Sequence, residues 1–169
     1  MYLDICLMIL MVVAVFTDLK SRRIPNILIG AGLVFAFSYH FYTRGVPGLI
    51  YGLKGFAAGI VILLVPFILG GIGAGDVKLL GVVGAFKGIT FAINTFLWMA
   101  LWGGALALVL LLVNGQLLAT LNRLGRGLLM AGMGFRSLSA FASRDEISIY
   151  YPYALAIALG VLTSYCKGW

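Results

Sequence analysis

The sequence has few acidic side chains and little charge of either sign. Of its 169 residues only 5 are Asp or Glu, and charged residues make up 10% of the chain, whereas 63% of the residues are hydrophobic. Charged residues account for about a quarter of an ordinary soluble domain, so this composition excludes that class of protein. We therefore expect a chain that lies in a lipid bilayer.

Cysteine and histidine are also scarce. The two cysteines, Cys6 and Cys166, lie in apolar stretches near opposite ends of the chain. They show neither the CxxC or Cys/His spacing of a zinc site nor the density of a disulfide framework. The single histidine, His40, is accompanied by no nucleophile motif, so we do not expect a catalytic triad. We expect no metal site.

Basic residues outnumber acidic ones and give the chain a net charge of +7. A basic chain can bind nucleic acid, but these residues are scattered at the ends of apolar runs rather than gathered on one polar element. That distribution is typical of topology signals in membrane proteins. We expect the lipid bilayer as a partner and no nucleic acid.

Charges, glycines and prolines divide the sequence into six apolar runs. The runs are 2–17, 25–43, 48–69, 77–88, 89–113 and 147–166. Each can be helical, and none alternates in the manner of a barrel strand. We expect an all-α, polytopic membrane bundle of about six transmembrane helices that forms a single domain over residues 1–169. The 77–88 run is short for a span, and one helix over 79–96 is the alternative.

The long connection of the chain covers residues 114–146. Leucines recur there at helical spacing beside Asn122, Arg123 and Arg126, which predicts an interfacial amphipathic helix continuing from the fifth span. A slightly polar extension packed on its neighbours is an equally good interpretation. The bias of Lys and Arg places this connection, with segments 18–25 and 70–78, on the cytoplasmic side of a bacterial or archaeal inner membrane.

Carboxylates near a bilayer are costly to bury, so each one should face water, have a partner or serve a function. The five acids are Asp4, Asp18, Asp76, Asp145 and Glu146. Asp4 lies at the outer end of the first predicted helix. Asp145 and Glu146 follow Arg144 at a predicted helix start, where acids complement the helix dipole. Asp18 and Asp76 are left as candidates for chemistry.

Asp18 ends the first predicted helix and is followed by Lys20 and by the pair Pro25-Asn26. Taken alone, the segment favours a solvated acid paired with Lys20 or Arg22. Pro25 fits the first turn of the second helix, and Asn26 would help to satisfy backbone donors there.

Asp76 follows a stretch with four glycines, Gly70, Gly71, Gly73 and Gly75, and Lys78 comes two residues later. Glycine at these positions would let the backbone adopt positive φ and approach other chains closely, as a loop that binds an extended peptide requires. The alternative is a flexible turn that ends in an N-capping Asp. The stretch is not a phosphate-binding loop, because the Gly-Lys-Ser/Thr ending is missing.

Asp18 and Asp76 are predicted at the same membrane face, at the ends of different helices. Two neighbouring carboxylates cannot both ionise readily, so one holds a proton near neutral pH while the other activates water. This is the chemistry by which an aspartic dyad hydrolyses a peptide.

These segments resemble the type IV prepilin peptidase family, especially its short members associated with tight-adherence (Flp-type) pili. The matching residues are Asp18-x-Lys20, Ile24-Pro25-Asn26, Gly73-Ala74-Gly75-Asp76-Val77-Lys78-Leu79-Leu80 and, more weakly, Pro152-Tyr153-Ala154 leading into Ala156-Ile157-Ala158-Leu159-Gly160. Leu155 stands where the final motif of the family often has a second proline. The resemblance spans nearly the whole chain.

The resemblance implies a membrane aspartic endopeptidase that removes the short basic leader of a prepilin or pseudopilin on the cytoplasmic side, before the hydrophobic pilin helix. Asp18 and Asp76 match the two catalytic aspartates of the family. The supporting motif residues are Lys20, Pro25, Asn26 and Lys78. Many larger members also methylate the new N-terminus with S-adenosylmethionine and carry a segment with paired CxxC motifs. That segment is not in this sequence, so we expect cleavage without methylation and no cofactor.

Two different interpretations stay open. A non-enzymatic membrane subunit of a secretion, pilus-assembly or transport system would use Asp18 and Asp76 as structural charges. A transporter, however, needs polar groups near the bilayer midplane, and none of the five acids is predicted there. A presenilin-like protease shares the Gly-x-Gly-Asp segment but usually presents its other aspartate in a different context.

Overall fold

The structure is a computed structural model that describes residues 2–113, 115 and 153–168. In these residues the chain forms five α-helices and no strand, which confirms the predicted all-α class for this part of the chain. The helices are α1 (Tyr2–Ser21), α2 (Asn26–Ile68), α3 (Ala74–Lys87), α4 (Ile89–Val113) and α5 (Tyr153–Cys166). The interfacial helix expected within 114–146 lies outside the described residues.

The chain divides into two compact units. The first comprises Met1–Gly103 with Pro152–Trp169, and the second comprises Gly104–Tyr151. The first unit contains α1, α2, α3, α5 and the greater part of α4. Of the second unit, the structure describes only the end of α4 and Gly115. The single domain expected over residues 1–169 stays a prediction.

Among the described residues, three helices are long and apolar enough to cross a membrane: α1, α2 and α4. This is fewer than the six spans expected from the apolar runs. The difference arises because α2, with 43 residues, covers two of the predicted runs. In addition, α3 and α5 have 14 residues each, below the roughly 20 that a span requires.

The long helix α2 is interrupted at Gly45, whose φ of 61° and ψ of −145° are not helical. A positive φ of this kind favours glycine, and Pro47 close behind supplies no backbone donor to continue the helix. The rings of Phe37 and Phe56, one on each side of the break, meet edge to face with centroids 6.4 Å apart. The chain therefore reverses direction between them. The break therefore falls where the sequence predicted a boundary between two runs, at residues 44–47.

The short helix α3 forms the centre of the fold. All residues from 79 to 86 are buried, and neighbouring helices shield a segment that is too short to cross a bilayer alone. Gly88, with a φ of 85°, ends α3 before α4 begins at Ile89. The predicted boundary near residue 88 is confirmed, and the alternative of one helix over 79–96 is wrong.

The C-terminal end of α3 leaves backbone carbonyls that no helical turn satisfies, which is costly away from water. Buried His40 approaches two of them, and its Nε2 lies 3.1 Å from the carbonyl oxygens of both Ala85 and Phe86. The hydroxyl of Tyr51 donates to the carbonyl of Lys87 at 2.6 Å. The single histidine thus caps a helix end.

Glycines allow the second segment of α2 to pack directly on the backbone of α3. A Cβ atom added to Gly55 would collide with the carbonyl of Gly84, and one added to Gly84 would collide with the carbonyl of Gly55. A Cβ atom added to Gly59 would collide with the backbone of Leu80 and Gly81. Gly55 and Gly59 form a Gly-x-x-x-Gly pair, a pattern that lets two helices pack closely in a membrane.

We expect Gly55→Ala to lower the free energy of unfolding by about 1–3 kcal/mol, because overpacking forces the two backbones apart. Gly30→Ala is the matched control, since a Cβ atom at this helical glycine meets nothing within 4 Å. The control should be neutral or stabilising by up to about 1 kcal/mol. Thermal unfolding of the purified variants in detergent measures both effects. Equal unfolding temperatures for the two variants would contradict the packing argument.

Candidate active site

The two candidate aspartates line one cavity of about 290 Å³. Asp18 lies in the last turn of α1 and Asp76 in the first turn of α3. Both are buried, with 8% and 7% of their surface exposed. The cavity is lined by Asp18, Arg22, Arg23, Ile24, Asn26, Gly73, Ala74, Gly75, Asp76 and Lys78. The structure thus brings together two carboxyls that are 58 positions apart in the sequence (76 − 18).

The backbone around Asp76 differs from the expectation in two ways. The N-cap residue of α3 is Gly73, and Asp76 lies three residues further on, so the interpretation of Asp76 as the N-cap is wrong. Gly73 has a φ of −78°, and Gly75 lies inside α3, so neither adopts the expected positive φ. In this stretch only Gly70 does, with a φ of 77°.

Gly73 and Gly75 lie near the carboxyls, and what matters there is that glycine has no side chain. A Cβ atom on Gly73 would lie 3.0 Å from Oδ2 of Asp76, and one on Gly75 would lie 3.4 Å from the side chain of Ile24. The contact at Gly73 is tighter than ordinary van der Waals packing, whereas the contact at Gly75 is close to normal. Gly73 therefore keeps space open beside the Asp76 carboxyl. The role of both glycines in binding substrate stays a prediction.

A hydrogen bond joins the two motif segments beside the cavity. Nζ of Lys78 donates to Oδ1 of Asn26 at 3.0 Å. Pro25 is the N-cap residue of α2 rather than part of its first turn, and Oδ1 of Asn26 is the acceptor for Lys78 rather than a capping group. Both expectations are thereby corrected. Lys20 is exposed, its Nζ lies 5.9 Å from the centre of the Phe16 ring, and it is not among the residues that line the cavity.

The start of α5 contributes two contacts that the sequence did not predict. The backbone N–H of Ala154 lies 3.4 Å from Oδ2 of Asp18, and the hydroxyl of Tyr153 donates to the carbonyl of Gly71. The first turn of a helix has free N–H groups and a partial positive charge, so it attracts a carboxylate. The only sequence signal was the weak match at Pro152-Tyr153-Ala154.

The remaining candidates lie elsewhere or outside the described residues. Asp4 is at the other end of α1, and His40 contacts the C-terminal end of α3, whereas Asp76 lies in its first turn. Asp145 and Glu146 are not described. Within residues 2–113 and 153–168, no three side chains of His, Cys, Asp or Glu are grouped to hold a metal ion.

The sequence model of the type IV leader peptidase family matches residues 5–108. This chain belongs to that family. The matched residues contain both Asp18 and Asp76, together with the whole of α2 and α3. No curated protein and no solved structure matches the chain. The family predicted from the two acidic segments is confirmed, and the chain is a peptidase-family membrane protein.

In this member of the family, burial and charge in the cavity raise the pKa of one of the two carboxyls. Burial, reinforced by the negative charge of Asp18, raises the pKa of Asp76 to about 7. Backbone hydrogen bonds from Gly73 and Asp76 itself oppose this shift without cancelling it. Asp76 lies outside the three helices that are long enough to span a membrane. The pair is therefore arranged to hold one proton near neutral pH.

The raised pKa predicts a pH dependence of stability that Asp76→Asn should reduce. The folded protein keeps a proton on Asp76 up to about pH 7, whereas the unfolded chain releases it near its ordinary value of 3.8. The stability associated with this proton is complete below pH 3.8 and is lost as the pH rises through about 7. Between about pH 5 and 8, the unfolding temperature should fall further in the wild type than in Asp76→Asn. Parallel curves for the two proteins in detergent would contradict the shift.

Proposed function

We propose that this chain is a membrane aspartic endopeptidase that removes the leader of type IV or Flp-type prepilins. The observation that carries the proposal is the pair of buried aspartates that line one cavity within the matched part of the chain. The raised pKa of Asp76 supports it, because peptide hydrolysis by a dyad requires one protonated and one ionised carboxyl.

In the proposed reaction, Asp18 takes a proton from a water molecule while the water oxygen attacks the scissile carbonyl carbon. Asp76 donates its proton to the carbonyl oxygen, which gives a neutral tetrahedral intermediate. The C–N bond then breaks as Asp18 passes its proton to the leaving amine and Asp76 recovers a proton from the intermediate. One water is consumed, the dyad returns to its starting state, and the chemistry uses no metal or cofactor.

Charge supports placing this reaction at the cytoplasmic face of the inner membrane. Arg22, Arg23 and Lys78 line the cavity beside the dyad, and Lys and Arg near the ends of spans are concentrated on the cytoplasmic side. A prepilin with a hydrophobic helix would lie in the bilayer, and its leader would reach the cavity from the same side. The substrate class, the membrane face and the catalytic roles form one proposal.

The orientation can be tested with single cysteines in a Cys6→Ser, Cys166→Ser background. Ser21→Cys reports the end near Asp18, and Thr43→Cys reports the other end of the first segment of α2. Both residues are exposed. A membrane-impermeant maleimide added to intact cells should label the cysteine at 43 and leave the one at 21 unlabelled until the membrane is opened. The reverse pattern would place the cavity on the outside and overturn the cytoplasmic assignment.

The central test replaces each aspartate with asparagine, which is nearly isosteric but cannot exchange protons. We expect Asp18→Asn and Asp76→Asn each to lower the cleavage rate by at least about 10³-fold while protein level and membrane insertion are retained. The double variant should be no slower than either single variant, because residues that act as a unit lose most of the rate with the first removal. Co-expression with a candidate prepilin, read as a leader-dependent mass shift, measures cleavage.

Asp145→Asn is the control for this experiment. Normal processing by either Asn variant of the proposed dyad would overturn the mechanism. An equal loss in Asp145→Asn would show that the choice of carboxyls is too narrow. A wild type that leaves every prepilin uncut would favour the non-enzymatic alternative.

A further inference from the structure

A second polar cluster lies at the other end of α1 and is not part of the proposed dyad. We name the far-end cluster by its three residues: Asp4, Lys87 and Tyr165. Nζ of Lys87 lies 2.8 Å from Oδ1 of Asp4, and the hydroxyl of Tyr165 donates to the same oxygen at 2.9 Å. The ammonium also lies 4.7 Å from the centre of the Tyr165 ring. The cluster is partly buried, with side-chain exposures of 24% for Lys87 and 35% for Asp4.

The far-end cluster joins the same three helices that meet at the dyad. Helix α1 carries Asp4 at one end and Asp18 at the other, and α3 carries Lys87 and Asp76. Helix α5 carries Tyr165, which contacts Asp4. At the other end of α5, the start of the helix approaches Asp18. Helices α1 and α5 therefore contact each other near both ends, and α1 runs antiparallel to α3 and α5.

The separation between the two ends follows from helix geometry. Asp4 and Asp18 are 14 residues apart, and Lys87 and Asp76 are 11 apart. At 1.5 Å per residue these spacings correspond to about 21 and 17 Å. A helix is stiff along its axis, so a slide of α1 against α3 at one end displaces the carboxyls at the other end by the same amount.

Between these ends, α1 is packed mainly through apolar side chains. Leu7, Leu10, Met11 and Ala14 are its buried residues there. Apolar contacts are non-directional, and in lipid they provide little force to fix one axial register over another. A charge-assisted hydrogen bond is short and directional, and it is stronger in partly dehydrated surroundings. Within the described part of the chain, the far-end cluster supplies a directional contact between α1 and α3 at this end.

We propose that Asp4, Lys87 and Tyr165 are positioning residues that set the axial register of α1 against α3 and α5, and thereby the separation of the Asp18 and Asp76 carboxyls. The inference rests on the proposed function only for its effect on catalysis. Catalysis is sensitive to the separation of the two carboxyls, because a displacement of about 1 Å can lower a rate by about 10²-fold. A slide by one residue is about 1.5 Å.

The structural test uses spin labels near the dyad and does not depend on activity. In the Cys6→Ser, Cys166→Ser background, Leu19→Cys on α1 and Ala74→Cys on α3 are labelled, both positions being exposed. Pulsed electron paramagnetic resonance then gives the distribution of distances between the two spin labels. Lys87→Met and Asp4→Asn should each shift or broaden this distribution, and Tyr165→Phe should have a smaller effect because the ion pair remains.

Lys167→Met is the matched control. Lys167 lies at the same end of α5, with its Nζ 4.9 Å from the ring of Trp98 on α4, and this contact involves neither α1 nor α3. The control should leave the distribution unchanged. If it broadens the distribution as much as Lys87→Met does, the effect is general loosening of the bundle and the positioning role is wrong.

The catalytic test uses unlabelled protein with the native cysteines. Asp4→Asn and Lys87→Met should each lower kcat about 10- to 10²-fold with KM within about twofold, and the double variant should be no worse than either. The exchanged pair, Asp4→Lys with Lys87→Asp, should recover part of kcat. If the charge-altering variants fail to fold, the label distribution and the kcat of Tyr165→Phe decide whether the far-end cluster sets the register.

The two proposals fail in distinguishable ways. An unchanged label distribution in Asp4→Asn and Lys87→Met overturns the positioning role, whatever the enzyme activity. A wild type that cuts no prepilin overturns the proposed function, whereas the label distances still decide whether the far-end cluster sets the register. A changed distribution with unchanged kcat would contradict the link between register and catalysis.

Discussion

The fold depends on the burial of α3, a helix too short to cross the membrane by itself. Surrounding a helix with apolar neighbours removes water from its backbone ends and from the charged residues of its first and last turns. Every such group then needs a partner supplied by another helix. At one end of α3, His40 and Tyr51 form hydrogen bonds with the backbone carbonyls, and Asp4 forms an ion pair with Lys87. At the other end, Asp76 shares its cavity with Asp18. The structural contacts and the proposed chemistry have the same physical origin.

Much of this could be predicted from the sequence, because the responsible signals are local. Apolar runs bounded by glycine and charge predicted the helices, including the reversal at residues 44–47 and the end of α3 at Gly88. The two aspartates could be selected because only five acids occur, and structural roles at helix ends were predicted for the remaining three. Among the described residues, three helices are long and apolar enough to span, against six predicted, because two apolar runs lie in α2 and another forms the short buried helix α3.

The contacts between helices could not be predicted, because they depend on axial register, which no local pattern encodes. Asp4 and Lys87 are 83 residues apart, and Asp4 and Tyr165 are 161 apart. The approach of α5 to Asp18 likewise depends on how a helix from the end of the chain is placed. The backbone angles of the glycines before Asp76 also could not be predicted, for a different reason. Their composition suggested positive φ values, whereas Gly73 provides space beside the Asp76 carboxyl at an ordinary φ of −78°.

The reversal in α2 also bears on how the chain enters the bilayer during synthesis. The two segments on either side of Gly45 are joined by only a few residues, so they can insert together as a helical hairpin. Helix α3 follows immediately and, at 14 residues, is too short to partition into lipid on its own. The hairpin surface that contains Gly55 and Gly59 is already present when α3 leaves the ribosome, so α3 can pack on protein instead of lipid. The order of segments along the chain thus provides α3 with a surface to pack against before α3 itself is made.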